Sequence, residues 1–253
     1  MDSDPLNLAL TRTAGVPPPE RTILPALFQF HFKGVAEYLE DLVTFIDSPQ
    51  LNFFCITFFN EIDFNCPQLA RFINRTPTLK APNDVHVQFD DKFARVELRA
   101  KPRTLEISIS CREPDWQLSA IEQVCNSSLH TLSTVEDLYI ERQYWQPVWK
   151  NDAIENTQWL QLLLPFTAVK NLHLSKEFAP GIAGALQELT GGRITEVLPS
   201  LQNIFVEGLR VERSGPLREN IEPFVTARQL SDHPIAISDW DKDSDMEWRG
   251  CTP

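Results

Sequence analysis

The chain has 253 residues, a formal net charge of −12 and a pI near 4.9. That charge argues against nucleic acid and anionic membrane surfaces as partners, since both call for a basic footprint. A hydrophobic content of 42% with 16 Phe argues against wholesale disorder and is enough for a sizeable core without disulfide staples.

The first residues, MDSDPLNLALTRT, carry acids where a secretory signal would carry Lys or Arg. Leu6, Leu8 and Leu10 read as the stub of a first strand. From there a template recurs: apolar-x-x-apolar-x-apolar. Leu27, Phe30 and Phe32 fit it, as do Leu51, Phe54 and Ile56. Val135, Leu138 and Ile140, then Val169, Leu172 and Leu174, then Leu201, Ile204 and Val206 fit it again. Val85 with Val87 and Ile107 with Ile109 match its last two positions. The steps from Ile107 to Leu138, Leu172 and Ile204 are 31, 34 and 32 residues. A period in the twenties to thirties is the signature of a repeat architecture.

Between the strands lie helical patterns. Val35, Tyr38, Leu39, Leu42, Val43 and Ile46 follow i, i+3, i+4, i+7 spacing. Leu118, Ile121 and Cys125 do the same, then Trp159, Leu160, Leu163 and Leu164, then Ile182, Ala185, Leu186 and Leu189. Gly191 and Gly192 supply a stop signal. A last helix carries Leu217, Ile221, Phe224 and Val225, with Ser214 or Gly215 as cap and Pro216 at its first position. Trp116 and Trp159 sit at helical positions and read as core, while Trp145 and Trp149 read as loop residues covering the end of a repeat. Helical crossovers imply parallel strands. The expected fold is therefore α/β: a leucine-rich-repeat-like solenoid with parallel strands on the concave face and helices on the convex face. VHVQFDDKFARVELRA alternates on both sides of Asp90-Asp91 and predicts a hairpin insertion near 85–99. One solenoid domain spans 1–238, and 239–253 reads as an acidic tail that frays.

The residues that carry chemistry are few. GxSxG, Walker, HExxH and strand-borne GxGxxG motifs are missing, so no enzyme and no cofactor is expected. Asp239, Asp241, Asp243 and Asp245 have calcium-loop spacing, but Ser244 stands where such a loop has Gly and Gly250 where it has Glu. Five cysteines give an odd count with no CxxC, which points to reduced thiols in an intracellular, cytoplasmic or nuclear protein. No run of about 18 apolar residues suggests a membrane span.

The template also defines a column. The residue between its last two apolar positions points to the concave face. Along the strands this gives His31, Cys55, His86, Ser108 (or Glu106, if the register slips by two), Tyr139, His173 and Phe205. His31 and His86, read as two strands and about 10 Å apart, are too distant to share a zinc ion with ligands at about 2 Å, so no metal is expected. An uncharged stripe of His, Tyr and Phe remains. His31, His86, Tyr139, His173 and Phe205 are the candidate contacts for a protein or peptide target.

The C-terminal half, YWQPVWKNDAIENTQWLQLLLPFTAVKNLHLSKEFAPGIAGALQELTGGRITEVLPSLQNIFVEGL followed by VTARQLSDHPIAISDWD, resembles a large family from basidiomycete, mushroom-forming fungi. The stretches ISISCREPDWQLSAIEQVCNSSL and GVAEYLEDLVTFIDSPQLN are similar to it too, so the resemblance runs from about residue 20 onward. These are F-box proteins whose C-terminal part is a degenerate leucine-rich repeat. The resemblance implies a substrate-receptor role in a cullin-RING ubiquitin ligase. No helical F-box is read ahead of the repeats, because LPALFQFHF alternates as a strand. Binding to the ligase adaptor is therefore not expected of this chain alone. A truncated remnant or free-standing scaffold, and an enzyme of unrecognised type, are the competing readings.

Overall fold

The computed structural model describes residues 21–59, 64–127, 129–142, 154–189, 193–209 and 216–241. The expectations for Leu6, Leu8 and Leu10, for Trp145 and Trp149, for Gly191 and Gly192, for the cap at Ser214 or Gly215, and for the tail beyond 241 lie outside these residues.

Each unit begins with an apolar residue that drops into the core from a turn: Leu51, Val135, Val169 and Leu201 are all buried. The strand follows two residues later, so the template's first position belongs to the turn. The strands are β1 (Thr22–Ile23), β2 (Gln29–Gly34), β3 (Ile46–Asp47), β4 (Phe53–Phe59), β5 (Asp84–Phe89), β6 (Phe93–Ala100), β7 (Arg103–Ser110), β8 (Asp137–Arg142), β9 (Asn171–Leu174), β10 (Asn203–Glu207) and β11 (Ala236–Trp240). The helices are α1 (Ala36–Thr44), α2 (Pro67–Arg75), α3 (Pro114–Ser127), α4 (Asn156–Leu163), α5 (Ala179–Gln187) and α6 (Pro216–Leu230). Strands β1 and β3 form a short parallel pair of their own.

The other nine strands form one mostly parallel sheet in the order β11-β10-β9-β8-β5-β6-β7-β4-β2. The template strands β2 and β4 are parallel neighbours, and so are β8, β9 and β10. The five template strands do not all lie side by side, as an uninterrupted solenoid would have them. Three strands separate β4 from β8, because β5, β6 and β7 form an antiparallel meander within the sheet. The predicted hairpin is its first half. The meander enters in reverse: β7 pairs with β4 and β5 pairs with β8, both parallel.

One face of the sheet carries the helices. Phe54, Ile56 and Phe58 of β4, Leu138 and Ile140 of β8, and Leu172 and Leu174 of β9 share a core with Leu39 and Val43 of α1, Phe72 of α2, Ile121 of α3, Leu163 of α4, Ile182 of α5 and Phe224 of α6. The helices are joined end to side. Glu40 of α1 accepts from the free amides of Gln68 and Leu69 at the start of α2, at 2.9 and 2.6 Å, where a carboxylate also offsets the helix dipole. Arg75, at the end of α2, pairs with Asp47 at 2.5 Å and donates to the Val43 and Ile46 carbonyls. Glu155 and Gln158 form a capping box on α4.

The two tryptophans expected in the core part company. Trp159 is buried, but Trp116 is 49% exposed. Trp116 lies two residues before Leu118 on α3, about 200° around the helix from the inward stripe. Helix α2 is an element the sequence reading left out, although Leu69, Phe72 and Ile73 have helical spacing and are buried. Strand β11 contains Asp239 and Trp240, so the sheet runs past the boundary drawn at 238. Among the described residues no helix is long and apolar enough to cross a membrane.

Candidate functional site

Among the described residues one face of the sheet carries no helix, and this helix-free face is organised by strand register. One row runs across all nine strands: His31, Cys55, Glu106, Glu97, His86, Tyr139, His173, Phe205 and Ser238. Glu106 rather than Ser108 holds the β7 position, because β7 pairs with β4 through Cys55 and Glu106. His31 and His86 are four strands apart, not two, since β7 and β6 also intervene. At about 4.8 Å per strand that is nearly 20 Å, further still from a shared metal.

Four of the five candidates come together. The rings of His86 and Tyr139 stack at 4.2 Å, those of Tyr139 and His173 at 4.1 Å, and those of His173 and Phe205 at 4.6 Å, all within 16° of parallel. The spacing follows from the sheet, because neighbouring strands set their side chains about one ring separation apart. Tyr139, His173 and Phe205 are half-buried. Trp240 leans over this stack, 5.4 Å from His173 and 5.9 Å from Tyr139, and is itself buried. The fifth candidate, His31, is exposed on the edge strand β2, tilted against Phe53 at 5.1 Å.

The row is not uncharged, which corrects the stripe expected from sequence. Glu97 and Glu106 occupy its middle, and His86 is a buried hub. Its Nδ1 lies 2.8 Å from Glu141 and its Nε2 lies 2.9 Å from Asp84 and 3.0 Å from Nη1 of Arg99. Gln88 donates to the same Glu141 oxygen at 3.1 Å. Arg99 also forks onto Glu97 at 2.8 and 2.6 Å. Burial pulls the Arg99 pKa down, but Glu97, Asp84 and Glu141 outweigh it and leave the guanidinium above its ordinary value. Such a network orders β5, β6 and β8 against one another. Burial, then the Glu106 carboxylate that accepts from its thiol at 3.6 Å, push the Cys55 thiol up to about 11.

His86→Phe would keep a ring on Tyr139 but strip Glu141 of its imidazole partner. Chemical denaturation should show a loss of about 0.5–1.5 kcal/mol, the usual net worth of one buried hydrogen bond, since Gln88 still donates to Glu141. A loss below about 0.5 kcal/mol, the range of ordinary surface substitutions, would show that the carboxylate does not depend on the imidazole.

Beside the ring row runs a polar ladder that sequence reading overlooked. Asn203 donates to Asn171 at 2.8 Å and Asn171 to Asp137 at 2.8 Å. The signal was present: each of these residues directly precedes the second apolar position of the template, in EDLYI, KNLHL and QNIFV. Trp240 was harder to find, because Asp239 stands in register with Val206, where the template requires an apolar residue. Among the described residues no cluster of three or more His, Cys, Asp or Glu is arranged to hold a metal ion. No protein-family model, no curated protein and no solved structure matches the chain significantly.

Proposed function

We propose that this chain is a non-catalytic protein-interaction module that takes a protein or peptide target on the ring row of its helix-free face. The observation that carries the reading is the half-buried stack of Tyr139, His173 and Phe205 on three adjacent strands, braced at one end by His86, which is itself buried and supports the row rather than lining its surface. Large amphipathic rings held rigid by their neighbours lose little entropy on binding and concentrate interface energy. His31, the remaining candidate, lies on the exposed edge of the same row and extends the contact.

The module is read as a leucine-rich-repeat-like solenoid. A repeated backbone device supports this: the carbonyl of Phe28 accepts from Asn52 and Phe53, that of Glu136 from Lys170 and Asn171, and that of Lys170 from Gln202 and Asn203. The side-chain hydroxyl of Thr167 reaches the Ser133 carbonyl, and that of Ser200 the Thr167 carbonyl, in the same rhythm. Equivalent residues doing equivalent work at each junction is what a stack of repeats requires. With the resemblance to basidiomycete F-box proteins, the module corresponds to the substrate-recognition part of an intracellular ubiquitin-ligase receptor. Its partner is the substrate, and docking to a ligase adaptor would fall to an F-box.

The test is capture of partners from a cell lysate by wild type and by Tyr139→Ala combined with Phe205→Ala. Because both rings are half-buried, the variant should melt somewhat lower than wild type but still cooperatively. It should lose the captured partners. Trp116→Ala, on the outside of α3, should keep them. Retention of every partner by the double variant, with loss in Trp116→Ala, would move the binding face to the helices.

A further inference from the structure

Exposed large apolar side chains gather at one end of the molecule. Ile23, Phe28, Tyr38, Leu42 and Phe45 all belong to the first strand–helix unit and Phe59 ends the neighbouring strand β4, whereas from α2 onward Trp116 and Leu230 are the exposed residues of this kind among those described. Three of the five form a helical stripe: Tyr38, Leu42 and the C-cap residue Phe45 stand at i, i+4 and i+7, within about 60° of one another around α1. We propose that this stripe is a docking seat for an amphipathic helix of another protein, one whose apolar face is flanked by Lys or Arg.

The position of the stripe says a helix belongs there. Leu39 and Val43 turn α1 toward the sheet, and Glu40 turns toward α2, whose first amides it caps. Tyr38 and Leu42 lie about 160–200° around the helix from Glu40, on the side away from α2. Within the helical layer α4 and α5 each pack between two neighbouring helices, whereas α1, like α2, α3 and α6, packs closely against one described helix, which for α1 is α2. The stripe is the surface that a further helix in the same layer would cover, and its spacing suits the i, i+3, i+4, i+7 anchors of helix-in-groove recognition.

Charge selects the kind of helix. Glu37 and Asp41 are exposed and lie together beside the stripe, and α1 holds no basic residue to offset them. A basic flank on the incoming helix would pair with these carboxylates, and the net charge of −12 would steer it inward. A second copy of this chain would instead set Glu37 and Asp41 against their equivalents across the interface and add the repulsion of two acidic molecules. This seat lies on a different element from the ring row, and its test does not depend on the function proposed for that row.

The probe is a fluorescently labelled, Leu-striped helical peptide of about 20 residues with Lys flanks, long enough to hold a helix in water. A companion carries Glu in place of every Lys. Fluorescence anisotropy with the full chain should show binding of the Lys peptide at least about tenfold tighter than of the Glu peptide, weakening as salt is raised. Tyr38→Ser with Leu42→Ser changes no charge and removes only exposed side chains, so it should fold normally and lose the Lys peptide by about tenfold or more. Equal binding by that variant would show that the peptide is held elsewhere by general attraction and would overturn the proposal. So would equal affinity for the two peptides, or no binding of either. A dimer in sedimentation that the same double variant dissolves would assign the seat to a second copy and equally overturn it.

Discussion

Arg228→Ala should destabilise the protein by about 2–5 kcal/mol, the range for truncating a large buried side chain, with buried carbonyls left unsatisfied as well. Arg228 is fully buried on α6, and among the described residues no carboxylate pairs with its guanidinium. It donates instead to four main-chain carbonyls, those of Ile194, Leu198, Pro199 and Leu201, at 3.2–3.4 Å. Those carbonyls belong to the segment that leads into β10, where Leu198 takes a left-handed φ of 49°, uncommon for a branched side chain. The planar fork of Arg is what can serve several carbonyls at once. Burial depresses the guanidinium pKa, because taking the charge out of water costs more than the carbonyl dipoles return. Arg228→Met should cost less than Arg228→Ala, because it fills the stem's volume and orphans the carbonyls without leaving a cavity. Arg228→Lys should also remain below wild type, as an ammonium cannot reproduce the fork. Urea titration of the three variants checks the order. If alanine proved as stable as arginine, the segment from 194 to 201 would not need its clamp.

Leu172→Ala should cost about 2–5 kcal/mol. Leu172 is wholly buried at the second template position of β9, in register with Leu138 on one side and Ile204 on the other. All three residues face the helices, so truncation opens a cavity between two adjacent units rather than at an edge. A loss of this size is a large part of a typical domain's stability. Urea titration again provides the measurement. A shift below about 0.5 kcal/mol would mean that Leu172 does not pack as its register requires.

Most strands were legible because one short template specifies both a turn plug and two inward residues. Val135, Leu138 and Ile140 show the code in full. Sheet order was not legible across the meander. The alternation in β5 and β6 announces a hairpin, but nothing local says whether β5 or β7 takes the place beside β4. That choice is made by pairing across long sequence separations, where tertiary packing decides. The column of His86, Tyr139, His173 and Phe205 could be read from parity alone, since side-chain direction in a strand has a period of two. The partners of His86 could not. Asp84 lies on its own strand, but Glu141 is 55 residues away and reaches it only because β5 pairs with β8. Trp116 misled because a large apolar residue on a helix invites burial, whereas its angle from Leu118 sets it outside. Arg228 gave no sequence signal: its burial depends on the turn before β10 presenting carbonyls to α6.

The central claim is that the ring row of the helix-free face meets the partner, and site-specific photo-crosslinking tests it most directly. Phe205 is replaced by benzoyl-phenylalanine in one protein and Trp116 in another, the first in the row and the second half-exposed on α3. Both are irradiated in a lysate and the adducts identified by mass spectrometry. The account predicts a discrete protein adduct from position 205, lost when Tyr139→Ala is added, and none from position 116. An adduct from position 116 with none from 205, while wild type still captures the same partner, would contradict it.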